Sequence, residues 1–412
     1  MIWAGAEQAS EDGGEHGEEG RARRKGRRSG RGAGRRTRPF AGTESARGDA
    51  QERSNVAAAV DIQSATRPGQ ELPRPGRPRP RAYARTEQEA CMRLADGIDL
   101  PLTEELARNV GPAGIDIAYQ RLGDPAGPPV LLIMGMAAQL IHWPDSFCQE
   151  LAGHGLHLIR FDNRDAGRST HLTNAPAPNL PAVLAGDLST VSYTLSDMAA
   201  DTVGLLDVLG IDSAHVVGAS MGGAIAQTVA IEHPARVRSL TAIMSTTGDA
   251  SVGQAAPEVL SVLFAGPPGN TRDEVVAHAL RVFRAAGSSG FDTDEAELAA
   301  RAGLAFDRGH DPLGIARQAV ASVASGDRTA RLAAIAAPTL VIHGLADRLC
   351  DASGGRAIAA AIPGAELWLV EGQGHDLPPA LRPELARRIA AHVRRAEAGR
   401  IRSFRASAPG VQ

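Results

Sequence analysis

The sequence predicts an α/β fold in which a mostly parallel sheet is covered by helices. Two observations predict it. Short apolar runs typical of buried strands alternate with amphipathic, helix-like stretches along most of the chain after residue 92. This alternation pauses for about 90 residues between Ser245 and Pro338, where only helix-like patterns occur, which indicates a helical insertion. Alternating strands and helices form parallel sheets, which collect binding sites at the carboxyl ends of their strands.

Seven segments are predicted as strands. The first alternates apolar and polar residues, as an exposed strand does, and the others are short apolar runs of the kind found in buried strands. In chain order they are 115–123, 129–135, 156–162, 214–219, 237–245, 338–344 and 365–372.

Helices are predicted between these strands. One lies around residues 144–155. Another follows Thr194, which has capping-box spacing to Asp197, and ends at Gly210. A third begins directly after residue 220 and is stopped by Pro234.

The insertion, about residues 246–335, contains four amphipathic helical stretches. Leu, Val, Ala and Phe are the expected inward residues, with Phe264, Phe283 and Phe306 as the large rings. We expect most of these side chains to hold this cap together and the remainder to line an apolar pocket with few fixed charges. The stretches are 257–266, 272–287, 295–306 and 314–325.

Charge divides the chain unevenly. Residues 1–85 carry 18 Arg and Lys against 11 Asp and Glu, whereas the remainder carries 26 against 36. Residues 1–91 are rich in Arg, Gly and Pro, and such composition predicts a disordered tail before one domain at 92–412. The tail is interpreted either as a solvated segment, or sequence upstream of a true start at Met92, or as a basic arm for nucleic acid or a membrane surface.

Composition also excludes several chemistries. Lys25 is the only lysine, so the predicted domain offers none for a P-loop, a pyridoxal phosphate Schiff base or a Ser-Lys dyad. The three cysteines form no C-x-x-C and favour a reducing compartment. Since the sequence shows no signal peptide and no apolar span, we expect a soluble, cytoplasmic protein that binds neither membrane nor nucleic acid. The sequence does not indicate an oligomeric state.

One pentapeptide points to nucleophilic chemistry. Gly218, Ser220 and Gly222 form G-x-S-x-G between a predicted strand and a predicted helix. Small neighbours allow a serine to occupy such an abrupt turn with its hydroxyl exposed. Because a serine hydroxyl needs a base to accept its proton, and that base needs an acid to orient it, partners are expected downstream.

The chain offers both partners in order, each after a predicted strand. Asp347 follows the strand at 338–344, with Asp351 as the alternative acid, and His375 follows the strand at 365–372. Asp376, next to that histidine, is interpreted as solvated rather than catalytic. The sequence therefore predicts Ser220, Asp347 and His375 as nucleophile, acid and base.

Backbone groups are predicted to stabilise the developing oxyanion. The N–H of Met221 directly follows the nucleophile at a helix N-terminus, and the N–H of Met136 lies in the loop after the strand at 129–135. The side chains of Met134 and Met136 are interpreted as packing residues.

By these residues the chain resembles the α/β-hydrolase superfamily. Within it, "LLIMGMAAQLIHWPDSF", "IRFDNRDAGRST" and "HVVGASMGGAIAQ" resemble the aclacinomycin methylesterase-like serine hydrolases over about residues 112–397. The resemblance implies ester cleavage by a serine triad at Ser220, Asp347 and His375, without cofactor or metal. It also implies a structural D-x-R-x-x-G-x-S turn beginning at Asp162. One departure is Met134-Gly135, where the superfamily usually has His-Gly in the oxyanion loop.

The predicted function is hydrolysis of a carboxylic ester of a small, largely apolar molecule through an acyl-enzyme. An enol-lactonase, a C–C bond hydrolase or a perhydrolase could use the same triad. Epoxide hydrolases and dehalogenases are disfavoured because their nucleophile is an aspartate. A non-catalytic small-molecule binder with this fold, or a nucleic-acid-binding protein acting through the tail, are the alternatives from other classes.

Overall fold

An eight-stranded sheet organises the described part of the chain. The computed structural model describes residues 91–93, 99–101, 103–264 and 269–407. Strand order is β10-β9-β8-β7-β5-β6-β4-β3, in which β4 pairs antiparallel with both β3 and β6 and all other neighbouring strands pair in parallel. The strands are β3 (Glu104–Val110), β4 (Ile115–Gly123), β5 (Pro129–Ile133), β6 (His157–Phe161), β7 (Ala214–Ala219), β8 (Val237–Ile243), β9 (Thr339–Gly344) and β10 (Glu366–Val370). The predicted α/β class is confirmed.

A separate two-stranded ribbon precedes the sheet, formed by β1 (Cys91–Arg93) and β2 (Asp99–Pro101). The predicted tail, residues 1–91, lies outside the described residues except for Cys91, and its disorder stays a prediction. The boundary between tail and domain stays a prediction.

Helices cover both faces of the sheet. They are α1 (Asp145–Ala152), α2 (Leu180–Leu184), α3 (Leu195–Val208), α4 (Met221–Glu232), α5 (Pro257–Phe264), α6 (Arg272–Ala286), α7 (Glu295–Arg308), α8 (Pro312–Ala324), α9 (Thr329–Leu332), α10 (Ser353–Ala361) and α11 (Arg382–Ser407). One apolar core joins the sheet to α3, α4 and α10, and a second joins it to α1 and α11. The predicted capping box of Thr194 and Asp197 starts α3.

Several elements were not predicted, among them β1, β2 and α10 as well as β3, α2 and α9. Strand β3 is an edge strand in which Ala107 and Val110 are its only buried side chains, so it lacks an apolar period. Helices α2 and α9 are too short to show a helical period. Strands β5 and β8 end two residues earlier than predicted, and the residues that follow them form loops beside Ser220.

The insertion between β8 and β9 is helical, as predicted, and comprises α5 to α9. Its inner side is less apolar than predicted. Arg308, Arg317 and Gln318 are buried there, and all three contact loops of the main sheet. The side chain of Phe264 lies outside the described side chains, and Phe283 and Phe306 are only half-buried.

Candidate active site

Ser220 lies at the junction of β7 and α4 in a backbone conformation that L-residues rarely adopt, with φ 56° and ψ −122°. Such a conformation costs on the order of 1–3 kcal/mol and persists only where the surroundings impose it. The Ser220 N–H donates to the Ile243 carbonyl at 2.9 Å. A Cβ on Gly218 would overlap the Gly222 carbonyl, and one on Gly222 would overlap the Ile133 carbonyl. The small residues of the pentapeptide are therefore steric requirements of this turn.

His375 connects the serine to an acid. Its Nε2 lies 3.0 Å from Ser220 Oγ, and its Nδ1 lies 2.7 Å from Asp347 Oδ2. With Nδ1–H donating to the carboxylate, Nε2 is free to accept the serine proton. The structure thus brings together three side chains that are widely separated in sequence.

Asp347 is completely buried and fixed by its own loop. Its Oδ1 accepts hydrogen bonds from the N–H groups of Leu349 at 2.9 Å and Cys350 at 2.8 Å, which leaves Oδ2 for the histidine. The alternative acid, Asp351, instead accepts from the N–H groups of Gln254 and Ser353, both at 2.8 Å. The geometry therefore favours Asp347.

Two carboxylates act on the imidazole. Burial opposes protonation of His375, but the charge of Asp347, the hydrogen bond to it and the charge of Asp376 together outweigh burial, so the pKa of His375 is raised. Asp376 was expected to be solvated, but it is half-buried. Its Oδ1 accepts from the hydroxyl of Ser288 at 2.6 Å and from the N–H of the same residue at 2.9 Å.

The cap also holds the histidine loop through its backbone. The hydroxyl of Ser288 accepts from the Gly374 N–H at 2.9 Å, and the His375 N–H donates to the Ala286 carbonyl at 2.8 Å. These residues of the α6–α7 connection carry no motif, and sequence reasoning missed them.

The two predicted oxyanion donors lie on either side of Ser220. Met221 is the first residue of α4, and Met136 lies in a turn closed by the Ala138 N–H and the Gly135 carbonyl at 3.4 Å. A Cβ on Gly135 would lie 3.0 Å from the Ser220 Cβ, so this turn packs directly against the serine. Within the described residues, neither methionine N–H donates to a protein acceptor.

The D-x-R-x-x-G-x-S turn has a structural role, as the resemblance implied. The Asp162 carboxylate accepts from the N–H groups of Leu140 at 2.6 Å and Arg168 at 3.0 Å, and from the Arg308 guanidinium at 2.8 Å. The Ser169 hydroxyl donates to the Asp162 carbonyl at 2.6 Å. The turn therefore joins β6, the loop after β5 and the cap.

One group of side chains could in principle hold a metal ion. Ligand atoms of Asp165, His171 and Asp311 lie within 4.8 Å of one another. However, Arg317 donates to both Asp165 oxygens, at 2.8 and 2.9 Å, and to Asp311 at 3.1 Å. A guanidinium already supplies the positive charge there, so the group does not fit a metal site.

The sheet order and the loops at its carboxyl edge are those of a known protein family. A family model described as the alpha/beta hydrolase fold matches residues 128–378, and the chain belongs to that family. It is 31% identical over 299 residues to rhodomycin D methylesterase DauP from Streptomyces sp. strain C5, covering 67% of this chain and 94% of that protein.

Solved structures agree with this fold. Est816, described as an N-acyl homoserine lactone degrading enzyme, matches with a TM-score of 0.52 at 26% identity, covering 68% of this chain and 98% of that one. The enol-lactonase from Burkholderia xenovorans LB400 matches with a TM-score of 0.53 at 21% identity, covering 71% and 100%. The second likeness concerns the fold alone. Separately, no helix in the described residues is long and apolar enough to cross a membrane.

Proposed function

We propose that this protein is a serine hydrolase that cleaves a carboxylic ester of a small, largely apolar molecule. The observation that carries the proposal is the continuous chain from Ser220 Oγ through His375 to Asp347 Oδ2, with contacts of 3.0 and 2.7 Å. An esterase needs this arrangement because the hydroxyl becomes nucleophilic only as its proton leaves. The similarity to a methylesterase supports an ester over a lactone, a C–C bond or a peracid.

In the proposed mechanism Ser220 Oγ attacks the ester carbonyl while His375 Nε2 accepts its proton. Asp347 stabilises the imidazolium, and the N–H groups of Met221 and Met136 bind the oxyanion. His375 then protonates the departing alkoxide, leaving an acyl group on Ser220. Water attacks the acyl-enzyme by the reverse sequence of proton transfers, releasing the acid and the free serine. No cofactor or metal takes part in this proposal.

We also propose a cytoplasmic location, with a small-molecule substrate as the partner and neither membrane nor nucleic acid involved. The buried Cys148 and Cys350 are free thiols, as is common in reducing compartments.

The nucleophile is tested with Ser220→Ala. The variant should lose fluorophosphonate labelling completely and ester turnover by at least about 10⁴-fold, because no other described hydroxyl contacts His375. Ser245→Ala is the matched control, since this serine is buried in the loop that follows the adjacent strand β8. Circular dichroism checks that both variants fold. Turnover by Ser220→Ala within tenfold of the wild type would contradict the assignment.

The substrate class is tested by kcat/KM across p-nitrophenyl acetate, butyrate and octanoate, a methyl ester of an apolar aromatic acid, and a dianionic ester. Each buried methylene contributes about 0.8 kcal/mol, so kcat/KM should rise with chain length until the pocket is full. A flat series, or a dianion as the best substrate, would argue against an apolar pocket.

A further inference from the structure

Gln318 of α8 is a completely buried amide that contacts the predicted oxyanion turn. Its Oε1 accepts a hydrogen bond from the Ala137 N–H at 3.0 Å, and Ala137 directly follows Met136. Its Nε2 donates to the Arg164 carbonyl at 2.8 Å. Both functional groups of the amide are therefore used, and its orientation is fixed.

The second contact is itself firmly anchored. Arg164 forms two hydrogen bonds to the buried carboxylate of Asp201, at 2.6 and 2.7 Å. The Arg164 carbonyl, which accepts from Gln318 Nε2, therefore belongs to a loop that is anchored by its own side chain. Through its two hydrogen bonds, Gln318 connects the turn containing Met136 to this anchored loop.

The turn needs such support because of its backbone conformation. Ala137 has φ 61°, which is the sign of a type II turn at its third residue and which alanine adopts only at a cost. The ordinary type I turn differs by a flip of the peptide between Met136 and Ala137. After that flip the Met136 carbonyl would face Gln318 Oε1, and two oxygens repel. The amide cannot rotate to relieve this without losing its bond to Arg164.

We propose that Gln318 is a positioning residue for the oxyanion hole. It holds the Met136–Ala137 peptide in one orientation and thereby anchors the turn whose preceding peptide, Gly135–Met136, carries the Met136 N–H. This rests on the proposed function, because it assigns the Met136 N–H to the oxyanion. Since Gln318 belongs to the cap, the geometry of the oxyanion hole depends on a cap helix and not only on the loop after β5.

The test is Gln318→Met, which keeps the length and volume of the side chain but lacks both polar groups. The variant should lower kcat by roughly 10- to 100-fold with KM changed less than about threefold, because a misplaced donor weakens the transition state more than substrate binding. Fluorophosphonate labelling of Ser220 should slow similarly, and the pH at which kcat/KM is half-maximal should stay unchanged. Val320→Ala, a buried change on the same helix, is the control and should retain kcat.

A double variant separates positioning from general damage. Glycine adopts positive φ freely, so Ala137→Gly in the Gln318→Met background should restore part of kcat. If Gln318→Met does not fold, Gln318→Asn, which is too short to reach both partners, replaces it with the same expectations.

The outcomes distinguish this inference from the proposed function. If Ser220 of a folded Gln318 variant is labelled as fast as in the wild type, or if only KM changes while kcat is retained, the positioning role is wrong and the proposed function stands. If the wild type is labelled but hydrolyses no ester, the ester assignment fails, and the labelling rates still decide the role of Gln318. If Ser220 of the wild type is not labelled, both the proposed function and the positioning role of Gln318 are wrong.

Discussion

His375 shows how neighbouring charges set the working range of a single residue. Burial alone would lower its pKa, yet Asp347 and then Asp376 reverse that effect and leave the pKa raised above the ordinary value of 6.5. A general base must be neutral to accept a proton, so activity should fall as the pH drops through this raised pKa. The acid limb of the pH profile therefore reports on both carboxylates.

Asp376→Asn tests this contribution, because asparagine keeps an acceptor for Ser288 but removes the charge. The pKa of His375 should fall, so the acid limb of kcat/KM should move to lower pH. Asp351→Asn is the control, since that carboxylate contacts Gln254 and Ser353 instead of the imidazole. A limb that stays in place, or moves to higher pH, would contradict the role of Asp376.

At the scale of elements, buried arginines fasten the cap to the sheet. Arg308 at the end of α7 binds the completely buried Asp162, and Arg317 of α8 binds the equally buried Asp165. Removing one partner of such a pair leaves an uncompensated charge in the interior, which typically costs 3–5 kcal/mol. Exposed pairs on the outer side of the cap lack this penalty because water replaces the lost partner.

Arg308→Met should therefore lower the free energy of unfolding by about 3–5 kcal/mol, because Asp162 keeps only its backbone partners. Arg284→Met is the matched control: Arg284 pairs with Glu295 on the surface, with 59% and 45% of the two side chains exposed, and its loss should lower the free energy of unfolding far less than Arg308→Met does. Urea unfolding measures both values. Equal losses would mean that the Arg308 pair does not hold the cap.

At the scale of the whole molecule, every described site residue lies between residues 134 and 376, within the sheet, its loops and the cap. The loops after β5, β7, β9 and β10 meet at the carboxyl ends of strands in one sheet, which places the proposed nucleophile, acid, base and oxyanion donors together.

Removal of residues 1–91 should leave both Tm and kcat/KM unchanged within error, because the described eight-stranded sheet and the proposed site remain complete. Differential scanning calorimetry and the ester assay, each run against the full chain, measure the two quantities. A fall in Tm of several degrees would show that the N-terminal segment stabilises the domain.

The sequence by itself determined the α/β class, seven of the eight strands of the sheet and the helical nature of the insertion. These properties depend on local periodicity and on the residues that interrupt it, and both can be recognised from residues that are close together in the sequence. It also selected Ser220, Asp347 and His375, because each follows a strand and belongs to a residue type that the chemistry demands. Edge strand β3 was not predicted because too few of its residues are buried to produce an alternating apolar pattern.

Only the tertiary structure decided how these loops are held. Gln318 is 181 residues from the Ala137 N–H that it binds, and Ser288 is 88 residues from Asp376. Neither belongs to a motif, since a glutamine or a serine on an amphipathic or loop segment has no periodic signature. Their partners are set by the docking of the cap onto the sheet, and that packing depends on contacts between distant segments that no local pattern specifies.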